Sequence, residues 1–245
     1  SSLAYQLAKR NYQVTLLDEN NQDEIEIFQN KAAIISPHFM LNNPKYNSLM
    51  SKASKYAYDL TQEFNYPKED ALMEGVVKLY DNDMADRLIE KIISLGLEKA
   101  DFKYLSKNLI KKKYGIENKA GIFFKNGGWV SPNKICSSLI NHKNIKLIPK
   151  KKAKEITHKK NLWITSCHDS SKYAASNLIL CNSIGLNEIS LFKNIDLNKN
   201  RGQINWLPSK KKGGSKKIIS DGGYLIPDVS GFDVFGSTYE RDNEN

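Results

Sequence analysis

The sequence of 245 residues is poor in the residues that build cross-linked or metal-bound frameworks. Its three cysteines, Cys136, Cys167 and Cys181, are odd in number and have no metal-site spacing. No metal site is predicted, and free thiols indicate a reducing, cytoplasmic setting. Apolar runs stay far below the roughly 20 residues of a membrane-spanning helix, so no membrane partner is predicted. Neither an internal repeat nor a Ser-His-Asp set is evident, and no catalytic residue is assigned.

The overall composition is that of a globular protein with a net positive charge. Hydrophobic residues make up 40% and charged residues 26% of the chain, as in ordinary folded domains. Lys and Arg number 37 against 27 acidic residues, which gives a net charge of +10. Much of the excess is clustered: Lys107, Lys111, Lys112 and Lys113; Lys150, Lys151, Lys152 and Lys154; and Lys210, Lys211, Lys212, Lys216 and Lys217. Such clusters favour a polyanionic partner, while solvated loops in a Lys-rich chain are the plainer explanation.

Residues 1–18 have the pattern of the helix and second strand of a nucleotide-binding unit. Small and apolar residues recur on one helical face: Leu3, Ala4, Leu7 and Ala8. The β-rich run 13–17 follows, and Asp18 ends it, where a Rossmann unit uses a carboxylate to accept a hydrogen bond from a ribose hydroxyl. The glycine-rich loop that holds the pyrophosphate in such units is not in the sequence. A plain amphipathic helix and buried strand, with a solvated Asp18, is the equal alternative.

Local signals predict helices and strands along the rest of the chain. Helices are predicted at 46–64, from Asn82 or Asp83 to Gly96, and from the N-cap Ser131 with Pro132 at the first helical position. Strands are predicted at 75–80, 121–124, 145–148, 153–156, 162–167, 177–181, 201–208 and 222–227. The continuously apolar run at 177–181 predicts a strand buried on both faces. The order predicts an α/β fold in which a second domain interrupts a nucleotide-binding domain.

Five stretches carry a resemblance to a known family: Ser1 to Asp18, Gly127-Gly128-Trp129-Val130-Ser131-Pro132, Arg201-Gly202-Gln203, Gly223-Tyr224-Leu225-Ile226-Pro227, and Gly236-Ser237-Thr238-Tyr239-Glu240-Arg241-Asp242. Together they resemble the amino-acid-oxidase-like FAD-dependent oxidoreductase family. Within it they are most similar to the C-terminal oxidoreductase domain of the bifunctional tRNA 5-methylaminomethyl-2-thiouridine biosynthesis proteins. The resemblance runs over essentially the whole chain. It implies an internal fragment that lacks the first strand and the C-terminal end of that domain.

The resemblance implies a Rossmann-like FAD-binding domain at residues 1–40 and 121–190, interleaved with a substrate domain at residues 41–120 and 191–245. The substrate domain is expected to be α+β and built on an antiparallel sheet. For FAD, the resemblance implies contacts with the ribose, flavin and adenine regions from Asp18, Asn30, Lys31, Ala33, Ile34, Ala153, Ser183 and Gly185. For the substrate, it implies Arg201, Tyr224, Tyr239 and Arg241. His38, a single histidine after a proline, is interpreted as a structural residue.

The implied substrate is a wobble uridine of tRNA that carries a carboxymethylaminomethyl group. FAD-dependent oxidation of its CH–NH bond, followed by hydrolysis, would remove the carboxymethyl group as glyoxylate and leave the 5-aminomethyl nucleoside. The implied partners are tRNA and a methyltransferase activity, either fused in the parent chain or supplied separately. Two alternatives stay open: an oxidase of secondary amines or D-amino acids acting on a free metabolite, and a non-catalytic basic RNA-binding module.

Overall fold

The chain forms two interleaved compact units in the computed structural model, which describes residues 1–20, 30–94, 101–198, 200–209 and 217–241. Unit 1 comprises residues 1–29, 136–201 and 239–245, and unit 2 comprises residues 30–135 and 202–238. Helices and both parallel and antiparallel strands occur in this arrangement, so the predicted α/β class is confirmed.

The helices and strands have the following bounds. The helices are α1 Ser2–Lys9, α2 Pro44–Phe64, α3 Asn82–Ser94, α4 Lys107–Tyr114 and α5 Pro132–Ile140. The first strands are β1 Val14–Leu17, β2 Ala33–Ile35, β3 Ala71–Leu72, β4 Val76–Tyr80, β5 Phe102–Leu105, β6 Ala120–Phe124, β7 Gly128–Val130 and β8 Ile145–Ile148. The later ones are β9 Ala153–Lys159, β10 Leu162–Cys167, β11 Lys172–Ala175, β12 Asn200–Arg201, β13 Ile204–Pro208, β14 Ile218–Asp221, β15 Gly223–Val229, β16 Phe232–Gly236 and β17 Glu240–Arg241.

The boundaries of the two units differ from the predicted domain boundaries. Residues 30–40 and 121–135 belong to unit 2, because β2 pairs with β7 and β6 pairs with β4. Residues 191–201 and 239–245 belong to unit 1, where β12 pairs with β17. These pairings join residues far apart in sequence, which local patterns do not reveal.

Unit 1 contains the predicted helix and strand of the nucleotide-binding pattern. Strand β1 pairs in parallel with β8, so that Val14 lies opposite Ile145. Helix α1 buries Ala4 and Ala8 as predicted, but Tyr5 is also buried and Leu3 is 45% exposed. The buried face of α1 is therefore rotated from the predicted one. A separate antiparallel sheet in this unit has the strand order β11-β10-β9.

The predicted buried strand at 177–181 is wrong. Residues 177–182 have no regular secondary structure, and the side chain of Ile179 is 51% exposed. An apolar run becomes a strand only when a neighbouring strand supplies hydrogen-bond partners. None of the strands in the described part of the chain pairs with this run.

Unit 2 is built on a seven-stranded sheet with the order β13-β16-β15-β14-β4-β6-β5. Strands β14 and β4 run parallel, and the other neighbours run antiparallel. On one face of this sheet, Val76 packs with Trp129 of the small sheet β2-β7-β3, and Phe124 packs with Leu88 of α3. On the other face, Val77 packs with Ile110 of α4.

Capping residues set the helix starts in unit 2. The side chain of Asn43 accepts a hydrogen bond from the backbone N–H of Tyr46 at 3.0 Å, and Pro44 occupies the first turn of α2. Helix α5 begins at Pro132, as predicted. Helix α4, whose N-cap is Ser106, lies in a Lys-rich stretch with only a weak helical pattern. The predicted end of α3 at Gly96 lies outside the described residues.

Candidate functional site

The Asp18 carboxylate stands at the carboxyl end of the parallel pair β1–β8. Its backbone is held on both sides: Asp18 N–H donates to the Ile148 carbonyl at 3.2 Å, and Lys151 N–H donates to the Asp18 carbonyl at 2.7 Å. The Asn20 N–H donates to Asp18 Oδ1 at 2.9 Å. No hydrogen bond within the described part of the chain reaches Oδ2. Among the described residues, the strand end therefore presents a fixed carboxylate with one oxygen available as an acceptor.

The other predicted cofactor residues of unit 1 lie at strand and turn ends. Ala153 is the first residue of β9, opposite Cys167 of β10. Ser183 and Gly185 lie in the short 3-10 helix Ser183–Glu188, where Ser183 is exposed and has a φ of 51°. A Cβ on Gly185 would meet no atom within 4 Å. The fold of the protein alone therefore does not require a glycine at position 185.

Three of the four predicted substrate residues lie together on the two-stranded ribbon β12–β17 or beside it. Arg201 is exposed and lies opposite Glu240, while Asn200 lies opposite Arg241. The side chain of Arg241 is outside the described part of the chain. Tyr239, which precedes the ribbon's second strand, is 68% exposed. The ribbon belongs to unit 1.

The fourth substrate candidate, Tyr224, belongs to unit 2 and contacts a predicted cofactor residue. Burial raises the pKa of Tyr224, and its hydrogen bond with the Asn30 side chain acts in the opposite direction. Asn30 is itself oriented, because its Oδ1 accepts the N–H of Ala32 at 3.1 Å. Tyr224 also packs, with Ile34, against the cluster of buried residues around Trp129. The structure therefore brings Asn30, Ile34 and Tyr224 into one neighbourhood.

Lys31 and Ala33 flank this neighbourhood. The Nζ of Lys31 lies 4.6 Å from the ring centroid of Phe232 and 5.6 Å from that of Trp206, within the range of cation–π attraction. Ala33 is half-buried on β2, opposite Val130. The ammonium of Lys31 is thus held over the aromatic end of the large sheet.

Sequence reasoning missed Lys78, a half-buried lysine in the middle of β4. Burial lowers the pKa of Lys78 to about 8. Partial burial and the nearby Lys78 ammonium lower the pKa of His38, whose ring meets Tyr46 edge-on at 6.2 Å between centroids. The available signal was strand alternation, since Val76, Lys78 and Tyr80 share one face of β4. A lysine on an inward face is unusual unless it is paired or functional.

The segment around His38 is held by Asn47 of α2. The Asn47 side chain is buried, accepts the N–H of Met40 at 2.8 Å and donates to the Met40 carbonyl at 2.6 Å. Two hydrogen bonds to one backbone residue satisfy the buried amide and fix the loop between β2 and α2. His38 is therefore ordered from both sides, by its ring contact with Tyr46 and by this clamp.

The basic clusters differ in how far acidic residues neutralise them. Lys107, Lys111, Lys112 and Lys113 are all exposed on α4, with an ion pair from Lys111 to Glu117 at 2.8 Å. In the second cluster, Lys151 pairs with Asp169, and Lys152 pairs with Glu19 at 3.3 Å and Glu188 at 2.6 Å. Of the third cluster, only Lys217 lies among the described residues. Acidic side chains therefore neutralise the cluster on α4 less than the second cluster, among the described residues.

Two negative findings apply to the described part of the chain. No group of three His, Cys, Asp or Glu side chains there is arranged to hold a metal ion. No helix within the same residues combines the length and apolarity needed to cross a bilayer.

The chain resembles curated tRNA-modifying proteins over nearly its whole length. It is 26% identical over 251 residues to the tRNA 5-methylaminomethyl-2-thiouridine biosynthesis bifunctional protein MnmC of Leptospira interrogans, covering 98% of this chain and 38% of that protein. It is 23% identical over 240 residues to the protein of the same name from Pseudomonas syringae, covering 97% of this chain and 36% of that protein. The chain thus spans less than two fifths of these relatives.

Solved structures and a family model agree on the fold. Glycine oxidase from Geobacillus kaustophilus superposes with a TM-score of 0.75 at 14% identity, covering 100% of this chain and 69% of that one. Iminodiacetate oxidase from Chelativorans superposes with a TM-score of 0.74 at 16% identity, covering 100% and 70%. The model of the DAO family, described as FAD dependent oxidoreductase, matches residues 1–245. The chain therefore belongs to the DAO family of FAD-dependent oxidoreductases.

Proposed function

We propose that the protein containing this chain uses FAD to remove the carboxymethyl group from 5-carboxymethylaminomethyl(-2-thio)uridine at the tRNA wobble position, which yields the 5-aminomethyl nucleoside. The observation that carries this proposal is the match to tRNA-modifying relatives over 98% of the chain. The same proposal implies tRNA as a partner, a methyltransferase activity in the same or another chain, and a cytoplasmic location.

The side chains that are present fit FAD at its ribose end. Asp18 Oδ2 can accept a hydrogen bond from a ribose hydroxyl at the carboxyl end of a parallel strand pair, where nucleotides bind in α/β sheets. Open space beside Gly185 leaves room for a group to approach the backbone closely. In unit 2, Asn30, Lys31, Ala33 and Ile34 are the residues proposed to line the flavin, and Ala153 of unit 1 is proposed to face the adenine.

FAD, when bound, would supply the oxidation of the carbon next to an amine nitrogen, and water would then hydrolyse the oxidised substrate. The roles left to the chain are to hold the substrate and to orient its carbon. An arginine fork suits a carboxylate, which supports Arg201 and Arg241 as ligands, and the phenols of Tyr224 and Tyr239 can add hydrogen bonds. Tyr224 stays protonated at neutral pH, since burial raises its pKa, and it can therefore donate.

The lysines of α4 support an RNA partner. Four exposed lysines lie within one helix of eight residues, and Lys111 alone of them has an ion pair within the described residues. Contacts of this kind neutralise phosphates without reading sequence, which suits an enzyme that must hold tRNA and act on one base.

Incubation of the purified, FAD-loaded protein with two substrates tests the proposal. One substrate is tRNA that carries the carboxymethylaminomethyl nucleoside, and the other is the free amine sarcosine. We expect glyoxylate and the 5-aminomethyl nucleoside from the tRNA and at least about 100-fold slower turnover of sarcosine, because only tRNA adds the remote binding energy. Faster turnover of sarcosine would favour the metabolite oxidase, and a protein that cannot be loaded with FAD would favour the RNA-binding module.

A further inference from the structure

A buried row of side chains on the large sheet of unit 2 ends in an exposed tryptophan. Strand β13 lies first in the strand order and, among the described strands, pairs with β16 alone. Trp206 of β13 lies opposite Val234 of β16, and Val234 lies opposite Ile226 of β15, so the three side chains share one face. Val234 and Ile226 are 0% exposed, whereas Trp206 is 40% exposed. The row therefore ends in an aromatic surface at the edge of the sheet.

Phe232 and Lys31 lie beside this tryptophan. Phe232 is two residues from Val234 on β16, so its half-buried ring points to the same face. The Nζ of Lys31 lies 4.6 Å from the ring centroid of Phe232 and 5.6 Å from that of Trp206. The ammonium group is thus held next to both rings, while the tryptophan keeps a large exposed area.

The positive charge of Lys31 has no acidic partner in the described part of the chain, where no ion pair joins it to a carboxylate. Asp233, the acidic residue next to Phe232, points to the opposite face by strand alternation. Its Oδ1 accepts hydrogen bonds from the Ser209 hydroxyl and from the N–H of Asp228. Asp233 therefore stabilises the strand ends and does not neutralise Lys31.

An exposed indole ring beside an ammonium group suits a ligand that is both flat and anionic. Nucleobases stack on exposed aromatic rings, and the phosphates that join them pair with lysines. Unstacked bases are available mainly in the single-stranded loops of an RNA. Trp206 lies two strands and two residues from Tyr224 on the same face, which is about 12 Å between Cα atoms at the usual spacings. One short segment of RNA can therefore contact both residues.

We propose that Trp206, with Phe232 and Lys31 beside it, forms a stacking platform for a nucleobase of the tRNA substrate. The choice of RNA rests on the proposed function, in which tRNA is the substrate. The base stacks on the indole ring, and the Lys31 ammonium pairs with the adjoining phosphate. The contact proposed between residue 31 and the flavin can use the backbone, since the side chain lies over the two rings.

Binding of two RNAs to the FAD-loaded protein tests the platform without the reaction. One RNA is an anticodon stem-loop, which has unstacked bases, and the other is a duplex of equal charge, which has none. We expect Trp206→Ala to weaken binding of the stem-loop about tenfold and to leave binding of the duplex unchanged. Trp206→Phe keeps a ring and should lose less than about threefold. Leu207→Ala is the control, because Leu207 is 59% exposed on the opposite face, and it should bind both RNAs as the wild type does.

Tryptophan fluorescence covers the case in which Trp206→Ala does not fold. Trp129 is 3% exposed and Trp163 is half-buried, so a stacked base should quench mainly the emission of Trp206. We expect the stem-loop to quench the wild type and to quench Trp206→Phe, which keeps the other two tryptophans, far less. Equal quenching in these two proteins, or equal stem-loop binding by the wild type and Trp206→Ala, would overturn the platform.

Kinetics of Trp206→Ala identify which base is stacked. A higher KM for both tRNA and the free carboxymethylaminomethyl nucleoside would support stacking of the modified uracil itself, and a higher KM for tRNA alone would support stacking of a neighbouring base. RNA binding that depends on Trp206, in a protein that does not oxidise this nucleoside in tRNA, would remove the proposed reaction and leave the platform supported.

Discussion

The two units of this chain bury their strands to different degrees. In unit 2, strands β6 and β7 are buried at every residue but one, and β4 is buried at Val76, Val77 and Leu79. Clusters of buried side chains cover both faces of the large sheet. In unit 1, strands β1 and β8 are half-buried or exposed throughout. The residues predicted to contact the adenosine part of FAD belong to the less buried unit. Substitutions of buried residues in unit 2 should therefore change folding, whereas substitution of Asp18 in unit 1 should change mainly the binding of the cofactor.

The largest expected effect is that of Gly128→Ala in unit 2. A Cβ at position 128 would collide with the carbonyl oxygen of Leu72 and with the backbone and side chain of Met73. Backbone atoms cannot move aside, so we expect a loss of about 4 kcal/mol or more of unfolding free energy, or no soluble protein. Gly185→Ala in unit 1 is the control, and denaturant unfolding should leave its stability within about 0.5 kcal/mol of wild type. Equal losses in both variants would contradict the comparison.

The next largest effect on the free energy of unfolding comes from replacing a buried isoleucine by alanine in unit 2, and the same replacement in unit 1 serves as the comparison. Ile226 is 0% exposed in the core of unit 2, whereas Ile179 in unit 1 is 51% exposed. We expect Ile226→Ala to lower the free energy of unfolding by about 3 kcal/mol, since it leaves a cavity. Ile179→Ala should change it by no more than about 0.5 kcal/mol. Urea titrations of both variants measure the difference, and a larger loss for Ile179→Ala would show that residues 177–181 are packed after all.

A gain of stability is expected from Lys78→Met. The folded-state pKa of Lys78 is about 8, below the 10.5 of an ordinary lysine, so the folded protein opposes protonation at this site. At pH 7 the substitution removes this cost, and stability should rise by up to about 3 kcal/mol. The gain is complete below pH 8, falls as the pH rises through the interval from 8 to 10.5, and is absent above it.

Thermal unfolding of Lys78→Met and of the exposed control Lys103→Met across this pH range measures the effect. The Tm of the control should differ little from wild type at every pH. A Lys78→Met variant that is less stable than wild type at pH 7 would mean that the ammonium has a stabilising partner in the folded protein.

Asp18→Asn is expected to have the smallest effect on stability. Its effect on the binding of FAD should nevertheless be clear. The substitution keeps the shape of the side chain but removes the negative charge from the oxygen that is proposed to accept a hydrogen bond from a ribose hydroxyl. We expect about tenfold weaker FAD binding by fluorescence titration and an unfolding free energy close to wild type. Glu19→Gln, the adjacent carboxylate, which pairs with Lys152, is the control and should bind FAD as the wild type does. Equal affinities in the wild type and Asp18→Asn would remove Asp18 from the cofactor site.

Sequence patterns located those elements whose signals are local. Helix α5 was predicted because a capping serine and a first-turn proline define a helix start within two residues. The strand at 177–181 was wrong because its partner strand is a property of the whole fold. The hydrogen bond between Tyr224 and Asn30 joins residues that are far apart in the sequence. The position of Lys78 opposite Ser220, which itself lies opposite Tyr224, follows from the register of β14 between β4 and β15. Registers of this kind are set by packing rather than by nearby residues.

Mass spectrometry of tRNA nucleosides from cells with and without the gene tests the proposed function most directly. We expect cells that lack the protein to accumulate 5-carboxymethylaminomethyl(-2-thio)uridine and to lose the nucleosides formed from it, and the wild-type gene to restore the normal profile. An unchanged profile in cells that lack the protein would contradict the proposed function.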